Sequence, residues 1–259
     1  MISAEGRWGG AVTSRPLPTA DGEVTEIDPS LREHLARIWR SQAATEARVA
    51  KSFALVHESL VALGADEGLI AVSKRAIDDE HRHTELCREM ARRYFGAEVT
   101  ATPVLPFAPP RHDLAKSEEE RRALWVVGQC AFNETFASAY LSLCHERAEV
   151  GLPRAALREL LSDEIDHARI GWAYLATLPR HLRAAIDDWL LPLAICNLRE
   201  WRSVRLSEDA SLTKHGIPAA AEVEEALVTA LRDLIVPGLA HTGCDTRSVE
   251  TWLATGAPT

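Results

Sequence analysis

Two segments of this 259-residue chain place charge where the buried face of a helix is expected. The first, DDEHRHTELC, contains Glu80 and His83, and the second, SDEIDHARIGW, contains Glu164 and His167. Residues three apart project from the same side of a helix, so each pair presents one carboxylate and one imidazole to a common point. The flanking positions on the same helix faces are apolar, so each charged pair interrupts a face that would otherwise be buried.

Helical periodicity surrounds both pairs and predicts two hairpins. Asp28 and Pro29 are typical of a helix start, and Ser117 begins a capping-box pattern that opens the second hairpin. Short turns join the two helices of each hairpin, so we expect them to be antiparallel neighbours. The proline-rich stretch TATPVLPFAPPRHD connects the hairpins and cannot be one continuous helix. The predicted helices span about 29–64, 66–96, 117–148 and 151–178.

The pattern indicates an all-α protein built on a four-helix bundle with one long crossover. We expect residues 1–27 to form a surface arm, 28–178 the bundle, and 179–259 a helical extension packed on it. Two helices are predicted in the extension, at about 180–206 with an interruption at Pro192, and at 218–235. Strand-like alternation is absent from the sequence.

Each predicted hairpin also offers a glutamate on the apolar stripe of its first helix. Glu46 precedes Glu80 by 34 residues, and Glu134 precedes Glu164 by 30, so the chain returns each glutamate to about the level of its partner motif. Glu58 on the first helix is an alternative to Glu46, although it lies near the turn. Four buried acids without a cation would be strongly destabilising, whereas two divalent ions would neutralise them.

These motifs resemble those of the ferritin-like di-iron carboxylate proteins over residues 29–178. The run Asp79-Glu80-His81-Arg82-His83 is similar to the DExRH form of bacterial multicomponent monooxygenases. The resemblance implies two iron ions, or a manganese–iron pair, with dioxygen as co-substrate. It also implies that Asp79 and Asp163 accept hydrogen bonds from the histidine of the opposite hairpin. The metal ligands that it implies are Glu46, Glu80, His83, Glu134, Glu164 and His167.

The chain departs from related patterns at several positions. The second motif has Asp166 where the first has an arginine. Ser138 lies where the monooxygenases tend to have a threonine near the dioxygen pocket, and a small core serine is the other interpretation. Leu160 lies where arylamine N-oxygenases carry an additional histidine, and Cys87 lies where a radical-forming tyrosine would be expected. These departures favour neither N-oxygenation nor radical storage.

The function that we expect is an oxygen-dependent oxidase or oxygenase acting on a small organic molecule. The extension favours this function because it can shape a substrate cavity or a homodimer surface. Electrons would come from a reductase, a ferredoxin or the substrate, since no flavin or nicotinamide fingerprint is present. Two alternatives are a ferroxidase or rubrerythrin-like peroxidase, and a helical scaffold with structural metal.

Composition excludes other classes of function. The net charge of −9 argues against a nucleic-acid partner. The five scattered cysteines include no CxxC pair, which favours a reduced, cytoplasmic location. No apolar segment approaches 18 residues, so we expect no membrane span and no signal peptide.

Overall fold

The computed structural model describes residues 17–18, 22–96, 106–202 and 210–255. Within these ranges the chain is helical and contains no strand, which confirms the predicted all-α class. The bundle is built from α2 (Pro29–Ala62), α3 (Glu67–Phe95), α4 (Glu118–Val126), a π-helical segment (Val127–Asn133), α5 (Glu134–Arg147) and α6 (Gly151–Thr177), after a short α1 (Gly22–Thr25).

The first hairpin begins and ends where the capping residues predict. The Asp28 carboxylate accepts hydrogen bonds from the backbone N–H groups of Ser30, at 2.8 Å, and of Leu31, at 3.3 Å, with Pro29 in the first turn. Gly96 ends α3 in a left-handed conformation with φ of 78°. Helices α2 and α3 pack along their length, and α3 also contacts α6.

The second hairpin contains a feature that the sequence pattern did not predict. The helix expected over about 117–148 is interrupted by the π-helical segment, in which the Glu134 N–H donates to the carbonyl of Gln129. Gly171 on α6 accommodates this wider turn, because a Cβ atom there would lie 2.3 Å from the backbone nitrogen of Ala131. The backbones of α6 and the π-helical segment therefore touch directly.

The C-terminal extension contains more helices than the two that were predicted. The first predicted helix is divided at Asp188-Trp189, and Pro192 lies inside the first turn of the helix that follows. The predicted end of that helix, near residue 206, lies outside the described residues. The helices of the extension are α7 (Arg180–Asp187), α8 (Leu190–Arg202), α9 (Ala210–Thr213), α10 (Ala220–Ala230), a π-helical turn (Leu231–Ile235), α11 (Val236–His241) and α12 (Arg247–Ala254).

The extension covers the second hairpin, where α7 contacts α4, α8 contacts the π-helical segment and α10 contacts α5. Part of the predicted surface arm is also packed rather than exposed. Val24 in α1 is fully buried, and Glu23 accepts a hydrogen bond from the Gly151 N–H at 3.0 Å. The arm is tied down here because α1 covers the end of the bundle, near α3 and α6. Residues 1–16 and 19–21 of the arm lie outside the described residues.

Two hydrophobic clusters fill the interior. One includes Phe53, Phe136 and Leu175 with much of the extension, and the other includes Trp39, Met90 and part of α6. Among the described helices, none combines the length and apolarity needed to cross a bilayer.

Candidate metal centre

The six predicted ligands lie buried in the core of the bundle, each at most 4% exposed. Two groups of side chains have ligand atoms within 4.8 Å of one another, and Glu164 belongs to both. Glu58, the alternative to Glu46, is exposed and lies outside both groups. The two groups are Glu46, Glu80, His83 and Glu164, and Glu134, Glu164 and His167.

Glu80 and Glu164 lie between the two histidines. The Nδ1 atom of His167 is 3.1 Å from Glu80 Oε1 and 3.1 Å from Glu164 Oε2. The Nδ1 atom of His83 is 3.6 Å from the other oxygen of Glu80 and 3.4 Å from the other oxygen of Glu164. Each of these carboxylates therefore turns one oxygen toward each imidazole, which is the arrangement needed to share a ligand between two ions.

Glu46 and Glu134 flank this central pair, and side-chain amides hold both of them. The Gln42 amide donates to Glu46 Oε1 at 2.6 Å from one turn earlier on α2. The amides of Gln129 and Asn133 both donate to Glu134 Oε1, the second at 3.3 Å. One oxygen of each flanking carboxylate is thus held in place by an amide.

The far side of each imidazole faces an aspartate from the opposite hairpin. His83 Nε2 lies 3.0 Å from Asp163 Oδ2, and His167 Nε2 lies 3.5 Å from Asp79 Oδ2. Arg82 is half-buried and joins the two aspartates. Its guanidinium bonds Asp79 at 2.7 Å and also Asp163. Arg82 reaches both aspartates because α3 packs directly on α6.

Burial and mutual repulsion control the charge of the cluster. Burial, together with the nearby carboxylate of Glu80, raises the pKa of Glu46, and burial beside Glu164 raises the pKa of Glu134. Burial alone would also raise the pKa of Glu164, but His167 and His83 hold it well below its usual range. Without a cation, the cluster favours extra protons that offset its negative charge.

The donor atoms of the cluster fit a pair of metal ions. Both carboxylate oxygens of Glu80 and the Nδ1 atom of His83 are buried and have no hydrogen-bond partner among the described residues. An unsatisfied buried polar atom costs about 1–3 kcal/mol, so a cluster that leaves three such atoms without a partner favours a bound cation. Carboxylate oxygen and imidazole nitrogen suit iron, manganese and zinc.

The remaining predicted positions are close to the cluster but do not join it. Ser138 is half-buried, and its hydroxyl has no hydrogen-bond partner in the part of the chain that the structure describes. Cys87 is fully buried, and burial raises its pKa well above the usual range of a thiol. Leu160 is a buried apolar residue of the second hydrophobic cluster. None of these side chains belongs to either group of potential ligands.

A cavity of about 520 Å³ lies beside the cluster, between α2, α4, the π-helical segment and α8. Its polar wall includes Ser52, Gln129 and Asn133, and two of these residues bond Glu134. Its apolar wall includes Leu124, Trp125, Trp189 and Leu193. None of the six ligands lines the cavity, so Gln129 and Asn133 stand between it and Glu134.

Sequence reasoning missed Gln42, Arg82, Gln129 and Asn133. The spacing of Gln42, four residues before Glu46, is a signal that could have identified it, because such residues are neighbours on a helix. Gln129 lies five residues before Glu134, and that spacing separates side chains in an α-helix. Only the π-helical turn brings these two together.

Comparisons with known proteins extend the description of the fold. Neither the scan against protein-family models nor the search of curated proteins finds a match. The search of solved structures finds protein 19 with aldehyde deformylating oxidase activity from Synechococcus, which is 18% identical, with a TM-score of 0.57. The alignment covers 89% of this chain and 100% of that one. The predicted ferritin-like helical fold is thus confirmed, and its core contains a carboxylate–histidine cluster compatible with a di-iron site.

Proposed function

We propose that this chain is an oxygen-dependent, non-haem dimetal oxidase or oxygenase that acts on a small organic molecule. One observation carries the proposal: a cavity large enough for such a molecule lies beside the buried ligand cluster, and Gln129 and Asn133 line this cavity and donate hydrogen bonds to Glu134 of the cluster. A ferroxidase or a scaffold with structural metal needs the cluster but has no need of the cavity.

The positions of the side chains assign them to two ions. Glu80 and Glu164 would be shared, because each turns one oxygen toward each histidine. Glu46 and His83 would complete one ion, and Glu134 and His167 the other. Two divalent ions would balance the four carboxylates, and either two iron ions or a manganese–iron pair satisfies these donors.

The bound metals would supply the redox chemistry, since two adjacent ferrous ions can deliver electrons to dioxygen. The protein supplies positions and a dry environment. Asp163 and Asp79 orient the imidazoles from behind, and Arg82 holds the two aspartates at a fixed separation. Phe53 packs against the His167 ring at 4.8 Å between centroids and excludes water from that side.

The cavity favours a substrate with an apolar body and one hydrogen-bonding group. Trp125 and Leu193 offer an apolar wall, whereas Gln129 offers an amide group beside Glu134. The activity of the Synechococcus protein makes aldehydes one class to test. A separate reductase, a ferredoxin or the substrate itself would supply any further electrons.

The test compares two glutamates on one helix. Protein loaded with ferrous iron is given isotopically labelled dioxygen, a reductant and a panel of aldehydes and aromatic compounds, and products are identified by mass spectrometry. Glu46→Gln removes a ligand, whereas Glu58→Gln changes an exposed glutamate on the same helix. We expect oxygen-dependent product from the wild type and Glu58→Gln but not from Glu46→Gln.

Other outcomes identify the alternatives. Rapid oxidation of ferrous iron without any organic product would support a ferroxidase, and consumption of hydrogen peroxide in preference to dioxygen would support a rubrerythrin-like peroxidase. Bound metal that raises the free energy of unfolding but gives no oxidation of iron or of an organic compound would support the helical scaffold. Equal product formation by Glu46→Gln and the wild type would contradict the proposed site.

A further inference from the structure

Gln129 lies between the cavity and the side chain of Glu134. Its amide nitrogen donates to Glu134 Oε1, and its amide oxygen accepts a hydrogen bond from the Ser52 hydroxyl at 2.5 Å. Both Ser52 and Gln129 line the cavity. A molecule in the cavity therefore reaches Gln129 before it reaches Glu134.

The π-helical segment creates this contact. In an α-helix, residues five apart lie about 140° apart around the axis, and their side chains diverge. Here the Glu134 N–H bonds the carbonyl of Gln129, so one wide turn joins the two residues. Their side chains consequently lie on the same face and bond each other. The local backbone thus joins the cavity wall to the metal cluster.

Another donor lies on the same wall of the cavity. Arg48 is one turn before Ser52 on α2, and its Nη1 atom pairs with Glu200 at 3.0 Å. Its Nε atom is buried and has no hydrogen-bond partner among the described residues. Because the Ser52 hydroxyl already donates to Gln129, the N–H groups of Arg48 and of the Gln129 amide are the ones that an oxygen acceptor in the cavity can use.

We propose that Gln129 is a positioning residue that couples occupancy of the cavity to the carboxylate of Glu134, and that the cavity binds small molecules bearing a carbonyl oxygen. Such a molecule competes with Glu134 for the Gln129 amide. When the amide turns toward the molecule, Glu134 Oε1 keeps only the 3.3 Å bond from Asn133 and is less restrained in how it would bind a metal ion. This inference rests on the proposed dimetal site and adds a ligand class and a means of control.

The chain supplies a matched control in Gln42. Its amide donates to Glu46 Oε1 at 2.6 Å, which parallels the bond from Gln129 to Glu134. Gln42 does not line the cavity described above. Replacing either glutamine by leucine removes one donor from a carboxylate oxygen, but only Gln129→Leu removes a donor that lines the cavity. Asn133 still donates to Glu134 Oε1 at 3.3 Å in that variant.

The experiment uses the full chain loaded anaerobically with cobalt(II), whose visible absorption bands report coordination geometry. Acetophenone is the probe, and ethylbenzene is a probe of similar shape without the carbonyl oxygen. Quenching of tryptophan fluorescence measures binding, because Trp125 and Trp189 line the cavity. We expect acetophenone to change the cobalt bands of the wild type and of Gln42→Leu.

The same experiment predicts that ethylbenzene leaves the bands unchanged. Gln129→Leu should have altered bands before any probe is added and should show no further change with acetophenone. Acetophenone that binds without changing the wild-type bands would overturn the coupling, as would an equal change in Gln129→Leu. Failure of acetophenone to bind would overturn the assigned ligand class.

The failure of this inference is distinguishable from the failure of the proposed function. Cobalt bands that are present in every variant but insensitive to Gln129 would overturn the coupling and leave the dimetal site standing. No cobalt bands in any variant would overturn the dimetal site and this inference with it.

Discussion

Gly171→Ala tests the close contact on which the register of the second hairpin depends. A Cβ atom at Gly171 would lie 2.3 Å from the Ala131 nitrogen, 2.7 Å from the Cys130 carbonyl carbon and 2.9 Å from the Ala131 Cα atom. All three are backbone atoms, so no side-chain rotation can relieve the overlap. Restoring an ordinary contact requires α6 and the π-helical segment to separate by about 1 Å.

The expected cost follows from two opposing effects. Overpacking of a close contact costs about 1–3 kcal/mol, and an alanine in a helix interior recovers about 1 kcal/mol relative to glycine. Because the overlap involves only backbone atoms, we expect a net loss of about 1–2 kcal/mol in the free energy of unfolding. For a chain of this size, the loss corresponds to a fall in Tm of about 3–6 °C.

Gly128→Ala is the matched control. Gly128 lies in the π-helical segment, and a Cβ atom there would meet only the Leu193 side chain, at 3.2 Å. That side chain can rotate, and the alanine recovers up to about 1 kcal/mol relative to glycine in a helix, so we expect the free energy of unfolding to stay unchanged or to rise by up to about 1 kcal/mol. The measurement is urea unfolding of the metal-free proteins, followed by circular dichroism. Equal stability of Gly171→Ala and the wild type would refute the direct backbone contact.

Three further predictions concern single side chains. Asp163→Asn should weaken ferrous iron binding by about 10- to 100-fold, measured by anaerobic titration, because it alters the group that orients the His83 imidazole. Burial, aided by Lys214, lowers the pKa of His215 to about 4, so the unfolded chain binds a proton that the native chain rejects. Between pH 7 and pH 5, the wild type should therefore lose about 2 kcal/mol more stability than His215→Gln, and an equal fall of the urea midpoint in both proteins over this range would contradict this. Phe53→Ala should lower the free energy of unfolding by about 3–5 kcal/mol because the ring is fully buried, whereas Phe95→Ala, at a ring 53% exposed, should change it by less than about 0.5 kcal/mol.

The bundle and its cluster were predictable because helical periodicity is short-ranged. Asp28, Ser117 and Gly96 identify helix ends through local hydrogen bonds and backbone conformation. Side chains three or four residues apart are neighbours on a helix, so Glu80 can be paired with His83, and Gln42 with Glu46, without knowledge of tertiary structure. The side chains that could be assigned to the cluster are those whose helix face follows from their spacing within one helix.

The rest depends on contacts between distant segments. The π-helical turn exists where Gly171 lets another backbone approach, and nothing near Gln129 in sequence signals it. Arg82 bonds Asp163 across 81 positions of sequence. The cavity combines walls from α2, the crossover, the second hairpin and α8. The extension was underpredicted because its helices are short and several begin without a capping side chain.

The most direct test of the central claim is the number of ferrous ions bound per chain. Metal-free protein is titrated anaerobically, with circular dichroism confirming that each variant keeps its helices. We predict about two ions per chain for the wild type and for Glu58→Ala with His181→Ala, which changes two exposed side chains. We predict no specific uptake after Glu80→Ala with His167→Ala. Unchanged uptake by that variant, or no specific uptake by the wild type, would contradict a dimetal centre in the bundle core.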